Sequence, residues 1–501
     1  FLAIVVVLWI VARAGNPTRL LIAAAAIILL ARAYGMVVLS EVWNSHLPLL
    51  WWLVCIFAAW AVVAGDWAML LVLVAAGSLC AQSYAGYLLP VAALIVMAVG
   101  AMGVAAIGAR QDRRRVLAWL GAGVVLLVVL WIPVLYEELT NDPGNLTLLW
   151  EFVTGSDEEP IGWDGGLDVV LLHLDPWRII TGELWGDRQS QVAAVPAGSG
   201  VPGAVLLFVW LAAVVVSTRL GDRGLRRLHL VAAVTLVASI LAVSRIIAPV
   251  FYWTVFFLWA VQAVLLASIG WTIVSVLRAR GFGRRRTDRA AGRAVALAAG
   301  LMVVAVWSAE TIVGPRLSDN RQSQLLAALM PDTIDALAAN PTWGRDGSYF
   351  LDWSDPVDLG SGGFGMVNEL ERAGFSVVVD DRYEPQVWPH RVVDSPDGAT
   401  AIVELFGGRV IADRLARPGA VQVAYADLRT DAERQRYETL RGELLTLLGP
   451  DHPLRTTVDD NTIVLGFTPG LDPEARTLAG EMIAIGVDMA VVVRPPDNKA
   501  S

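Results

Sequence analysis

The hexapeptide Arg110-Gln111-Asp112-Arg113-Arg114-Arg115 runs directly into VLAWLGAGVVLLVVLWIPVL at positions 116–135. The second stretch carries no charge, and its length is that of a bilayer-crossing helix, which needs about 20 apolar residues. The arginines mark its cytoplasmic end, because short basic loops are retained on that side. The same pattern extends in both directions. Apolar runs at 1–12, 20–39, 47–64, 68–84, 88–108, 203–218, 228–245, 251–277 and 294–313 alternate with polar ones. Together with 116–135 they predict about ten spans and an α-helical polytopic membrane domain over residues 1–313. The first run opens at Phe1 with no basic segment before it and no small-residue cleavage site after it. It reads as a cut span whose natural start lies upstream, not as a signal peptide.

From residue 314 onward the composition is that of a soluble protein. The chain is therefore two architectures in series, and the hydrophobic fraction of 56% and mean hydropathy of +0.58 average over both. The net charge of −9 is an average of the same kind. Basic residues cluster in short loops of the first part, the acidic excess lies in the soluble parts, and no basic tract reads as a nucleic-acid surface. Cys55 and Cys80 both fall inside apolar runs and read as small buried hydrophobes.

Orientation follows from arginine. The loops 110–115, 219–227 and 278–293, and the short one holding Arg13 and Arg19, fall on one side when the spans are counted. That side is read as cytoplasmic, and the protein as a multi-pass protein of the plasma membrane. The opposite, outer side receives the loop around Trp43-Asn44-Ser45-His46, the turn around Tyr84-Ala85-Gly86-Tyr87, a long loop at 136–202 and the domain at 314–501. A loop of that length is uncommon in a compact domain and is usually functional or disordered. Residues 194–200 at its end read as flexible.

The C-terminal domain alternates strand and helix patterns, which predicts an α/β sandwich with a mixed sheet. Strands are expected at 349–353, 376–380, 400–405, 421–426, 462–467 and 489–493, and helices at 365–373, 431–448 and 473–485. A further strand at 387–393 contains Pro389, which would confine it to a sheet edge.

Ionisable groups at membrane depth are costly and so become functional candidates. Arg32 lies within the second span, and Arg245 ends the eighth on the outer side, ahead of Pro249, Phe251, Tyr252 and Trp253. A guanidinium among aromatics suits a lipid phosphate; it equally suits an arginine reaching for the interface beside an aromatic belt. Trp43, Asn44 and His46 form a polar, aromatic loop fit either to bind a sugar or to anchor a helix end. Gln82 and Tyr84 near the outer face either bond a substrate or tie helices together. Glu137 and Glu138, leaving the sixth span, are weak candidates for a general base or a divalent-cation ligand, and otherwise a solvated helix end. Gly360-Ser361-Gly362-Gly363-Phe364-Gly365 lacks the lysine of a phosphate-binding loop and reads as a flexible strand-to-helix turn. The histidines show no metal-ligand spacing.

The segment from Trp43-Asn44 through Pro48, then Trp60, Gly65-Asp66 and Gly77-Ser78 with Gln82 and Tyr87, resembles a block found in GT-C class integral membrane glycosyltransferases. So does Trp131-Ile132-Pro133 followed by Pro143-Gly144-Asn145-Leu146. The nearest likeness is to actinobacterial members that use polyprenyl-phosphate sugars, and it covers most of the chain. Tyr84 stands where the block often carries histidine. The resemblance implies transfer of a sugar from a polyprenyl-phosphate donor in the membrane lipid to an envelope glycan, lipid or protein on the outer face. It also implies that the essential acidic residue lies in a first outer loop upstream of Phe1, while Arg32, Trp43, Asn44, His46, Gln82, Tyr84, Arg245 and Tyr252 line the rest of the site. The leaving phosphate would be met by Arg245 or a divalent cation. Two other readings stay open: a transporter or lipid flippase, and an envelope-assembly protein without catalysis.

Overall fold

A computed structural model describes the chain except for residues 14–16, 41–42, 109–112, 156–158, 182–197, 248–249, 281–297, 299, 307, 310–320, 355–360, 469 and 497–501. It is mostly helical and divides into two compact units, one within residues 1–315 and one within 316–501.

The first unit comprises α1 (Leu2–Arg13), α2 (Pro17–Ser40), α3 (Leu49–Val63), α4 (Met69–Ser83), α5 (Leu88–Gly108), α6 (Arg113–Thr140), α7 (Asn145–Gly155), α8 (Gly162–His173), α9 (Pro176–Thr181), α10 (Val201–Arg219), α11 (Arg223–Val243), the single turn α12 (Tyr252–Val255) and α13 (Phe257–Ala279). Among the described residues, six helices are long and apolar enough to cross a membrane: Pro17–Gly35, Ala85–Gly108, Arg113–Thr140, Val201–Arg219, Arg223–Val243 and Phe257–Ala279. The expected ten are thus met in length by six. The helix at Leu2–Arg13 has 12 residues, and Leu49–Val63 and Met69–Ser83 have 15 each. At a rise of 1.5 Å per residue, 15 residues reach only about 22 Å of an apolar layer about 30 Å thick. Pro48 and the positive-φ Gly65 bound α3, and all its residues but Leu50, Trp51 and Val63 are buried. Its uniform apolarity is that of a helix packed on every side by protein. Half of the tenth predicted span, 294–313, lies outside the described residues.

Residues from the arginine-rich loops gather at one end of this unit. Arg19 meets Asp222 at 3.3 Å, Arg13 meets Asp66 at 2.8 Å, and the Arg227 guanidinium donates to the Ala64 carbonyl at 3.1 Å. The indoles of Trp60 and Trp271 donate to the Gly224 carbonyl (2.9 Å) and the Asp222 carboxylate (3.1 Å). The expected long loop at 136–202 is in large part helical, holding α7, α8 and α9.

The second unit is built on a six-stranded sheet of order β3-β2-β1-β4-β6-β5. Its strands are β1 (Ser348–Ser354), β2 (Ser376–Asp380), β3 (Val392–Val393), β4 (Ala401–Gly407), β5 (Val421–Ala426) and β6 (Met489–Arg494). The first four run parallel, and β6 is antiparallel to both β4 and β5, so the sheet is mixed as expected. Its helices are α14 (Arg321–Ala339), α15 (Ser361–Arg372), α16 (Val410–Leu415), α17 (Asp431–Leu448), the turn α18 (Thr457–Asp460), α19 (Thr462–Phe467) and α20 (Pro473–Ile485).

Three expectations need correction. Residues 462–467 are a helix, not a strand: Thr462, Ile463, Leu465 and Gly466 are buried with Val464 exposed, which is helical periodicity and not alternation. The Thr462 hydroxyl also bonds back to the Val458 carbonyl at 2.8 Å. The strand at 387–393 shrinks to Val392–Val393 on the sheet edge, because Pro389 opens a helical turn through Arg391. The glycine-rich segment from Ser361 on is the first turn of α15, not a flexible turn. A Cβ on Gly363 would lie 2.1 Å from the Trp353 ring, so that glycine serves close packing of helix on strand.

Candidate functional site

Residues 43–47, after α2, fold as a tight turn, the Trp43 carbonyl accepting the N–H groups of His46 and Leu47, each at 2.9 Å. This swings His46 inward to 5% exposure and leaves Asn44 at the exposed tip. The imidazole lies between two rings from distant parts of the chain, Trp43 at 4.8 Å and Phe256 at 5.5 Å between centroids. Trp43 in turn meets Trp253 at 5.3 Å. Trp253 stacks on Phe251 at 4.5 Å with 3° between the planes, and Tyr252 reaches Phe256 at 5.1 Å. The turn α12 ahead of the long α13 presents these aromatics together. A hydrogen bond from the Tyr34 hydroxyl to the Phe256 carbonyl, 2.9 Å long, ties them to α2.

Trp43, His46 and Tyr252, expected in the substrate site from sequence, thus share one aromatic cluster. Tyr84 connects to it at one remove: it faces Tyr87 at 6.5 Å, and Tyr87 meets Phe257 at 5.5 Å and Trp52 at 5.7 Å. Beneath the rim, the Ser45 hydroxyl, the Tyr87 hydroxyl and the Trp52 indole N–H are buried and find no hydrogen-bond partner among the described residues. Tyr34, Phe256 and Phe257 belong to the cluster but carry no mark in the sequence beyond being aromatic within apolar runs.

Other candidates take different places. The Gln82 amide donates to the Leu130 carbonyl of α6 at 3.1 Å, and the Trp131 indole donates to Ser78 at 3.2 Å. Gln82 is therefore a tie between α4 and α6. Arg32 and Arg245 are both exposed, Arg245 just past the end of α11, and neither side chain has an ion-pair partner among the described residues. Pro249 lies outside the described residues. Asp66, part of the same sequence block as Trp43, sits at the arginine-lined end of α3 and pairs with Arg13.

Glu137 and Glu138 close the start of α7. Glu137 accepts from the Asn141 amide at 3.0 Å and the Asn145 N–H at 3.1 Å. Glu138 accepts the N–H groups of Leu146 (2.7 Å) and Thr147 (3.2 Å) as well as the Thr147 hydroxyl. Free N–H groups at a helix start draw carboxylates, and both glutamates are engaged in that role. Among the described residues, no group of three or more His, Cys, Asp or Glu side chains converges as metal ligands do. Comparison of the chain with protein-family models, with curated proteins and with solved structures returns no match.

Proposed function

We propose that this protein is a membrane glycosyltransferase that moves a sugar from a polyprenyl-phosphate donor to an envelope glycan, lipid or protein at the outer face. The observation that supports it is the aromatic cluster of Trp43, His46, Tyr252, Trp253 and Phe256, formed by two segments far apart in sequence. Aromatic faces with an amide at the rim suit the apolar faces and hydroxyls of a sugar. Exposed Arg245, following α11, suits a phosphate through paired hydrogen bonds. In the reaction the acceptor hydroxyl oxygen bonds the anomeric carbon, the bond from that carbon to the phosphate oxygen breaks, and the electron pair leaves with the lipid phosphate. The hydroxyl proton passes to a carboxylate acting as general base. Arg245 stabilises the charge gathering on the leaving phosphate. On this reading the unit within 316–501 stands on the outer side and helps to bind the acceptor.

One observation favours a transporter or lipid flippase instead. Gln262 on α13 is fully buried, and neither of its amide atoms has a partner among the described residues; the Ser239 hydroxyl on α11 is in the same state. Polar groups held within membrane-spanning helices are a feature of translocation paths.

The test is purified full-length protein incubated with radiolabelled polyprenyl-phosphate sugars and envelope acceptors. Transfer is expected, with Arg245→Ala lowering kcat by about a hundredfold, the usual loss when a group that stabilises developing charge is removed. Passage of the labelled lipid across a vesicle bilayer without transfer would establish the flippase reading and end this one.

A further inference from the structure

We propose that α7 is an interfacial helix, seated in the boundary between headgroups and acyl chains where α6 leaves the membrane, and that its partner is lipid. At 100° per residue, Thr147, Glu151 and Thr154 share one narrow face of Asn145–Gly155, and the apolar side chains take the remaining arc, with Asn145 at the helix start the one polar side chain among them. Among the described residues that apolar arc is mostly uncovered: no residue of α7 is buried, Leu149 is half-buried, and Trp150, Phe152 and Val153 are 69%, 61% and 63% exposed. A contiguous apolar face of this kind is not left in water by a stable soluble surface. It continues an apolar surface already turned to lipid, since Ile132, Leu135 and Leu139 on the last turns of α6 are 54%, 48% and 85% exposed. The chain turns between the two helices, and the Glu137 and Glu138 carboxylates fix the turn by holding the first N–H groups of α7. A polar face opposite an apolar one that bears a tryptophan is the form of a helix lying in the membrane plane. No lysine or arginine occurs between residues 116 and 177, so apolar insertion, and not attraction to anionic lipid, seats it.

The inference stands independently of the transferase reading. It is tested with spin labels on single introduced cysteines, Trp150→Cys, Glu151→Cys, Val153→Cys and Thr154→Cys, in the full-length protein reconstituted in phosphatidylcholine vesicles. The native Cys55 and Cys80 are both fully buried. All four sites are exposed, so the substitutions leave the packed bundle untouched. Labels at 150 and 153 are expected to collide severalfold more with oxygen than with a water-soluble nickel chelate, and labels at 151 and 154 the reverse. Preference for nickel at all four would put the helix in water. Poor access of both reagents at 150 and 153 would mean that protein covers the face. Either result overturns the proposal.

Discussion

Glu404 lies in the middle of β4 with no exposed surface, paired across the sheet with Asp352 on β1 and Val492 on β6. One of its oxygens accepts from Arg417 at 2.8 Å and from Arg494 at 3.1 Å, with Arg414 at 3.8 Å. Removing the carboxylate leaves the buried Arg494 head beside other cations. Glu404→Ala is therefore expected to destabilise the C-terminal unit by about 3 kcal/mol, read as faster hydrogen exchange across β4 and β6 in the purified chain. Nothing in residues 400–405 betrays this partner set, because the three arginines come from 10, 13 and 90 residues away. The start of α17 is legible by contrast. Thr430 and Glu433 form a reciprocal cap, Glu433 accepting the Thr430 N–H at 2.7 Å and receiving its hydroxyl at 2.9 Å. The Thr430 N–H, then its hydroxyl, then Arg321 hold the Glu433 carboxyl below its ordinary range. Because the folded value is the lower one, the cap's contribution is complete above the unfolded pKa of about 4.3 and is lost as pH falls through the folded value. Thr430→Ala should cost about 1 kcal/mol at neutral pH. Protection of the first α17 amides, corrected for intrinsic exchange, should hold down to about pH 5 and fall below it in the parent chain, and stay flat in Glu433→Gln.

At the scale of elements, local pattern decides what the sequence shows. Val421–Ala426, Asp431–Leu448, Pro473–Ile485 and Leu88–Gly108 have the boundaries that strand and helix patterning and apolar run length assign them. The helix at 462–467 was hidden because a short β-branched run has no length in which to show its period. Arg321–Ala339 was hidden because Pro331 inside it reads as a breaker. Helical structure within 136–202 was hidden by charges and glycines that serve turns between short helices. In α2, Gly35 takes φ 72 and ψ 165 inside an otherwise helical run, a backbone region that is nearly closed to side chains. Gly35→Ala is expected to cost on the order of 1–3 kcal/mol and to loosen the adjacent Tyr34–Phe256 bond, measured as a lower midpoint in thermal unfolding of the detergent-solubilised protein. In α7, Glu138→Ala removes the acceptor for two backbone N–H groups. The first turn should then fray, with faster hydrogen exchange at residues 146–149 than in the parent chain.

Across the whole molecule, the reading turns on which residues share an end of the membrane unit. The alternation of basic loops with aromatic ones separated the two sets in sequence, and the fold keeps them apart. Arg13, Arg19, Asp66, Asp222 and Arg227 gather at one end of the helices. Trp43, His46, Trp253 and Phe256 cluster where α3 begins and α13 begins. What the sequence did not convey is how the rings meet, since the Trp43–Trp253 and His46–Phe256 pairs join segments about 200 residues apart and no local spacing encodes them. Sidedness is the claim on which the donor, the acceptor and the role of the C-terminal unit all depend, and a membrane-impermeant maleimide applied to intact cells tests it directly. Cys55 and Cys80 are buried, so a cysteine placed at exposed Asn44, at Asp431 in the C-terminal unit or at Arg223 in the basic loop reports alone. Labelling at 44 and 431 with none at 223 is the predicted outcome; labelling at 223 with none at 44 and 431 would turn the molecule over and leave a lipid-borne sugar on the outer leaflet no way to reach the aromatic cluster.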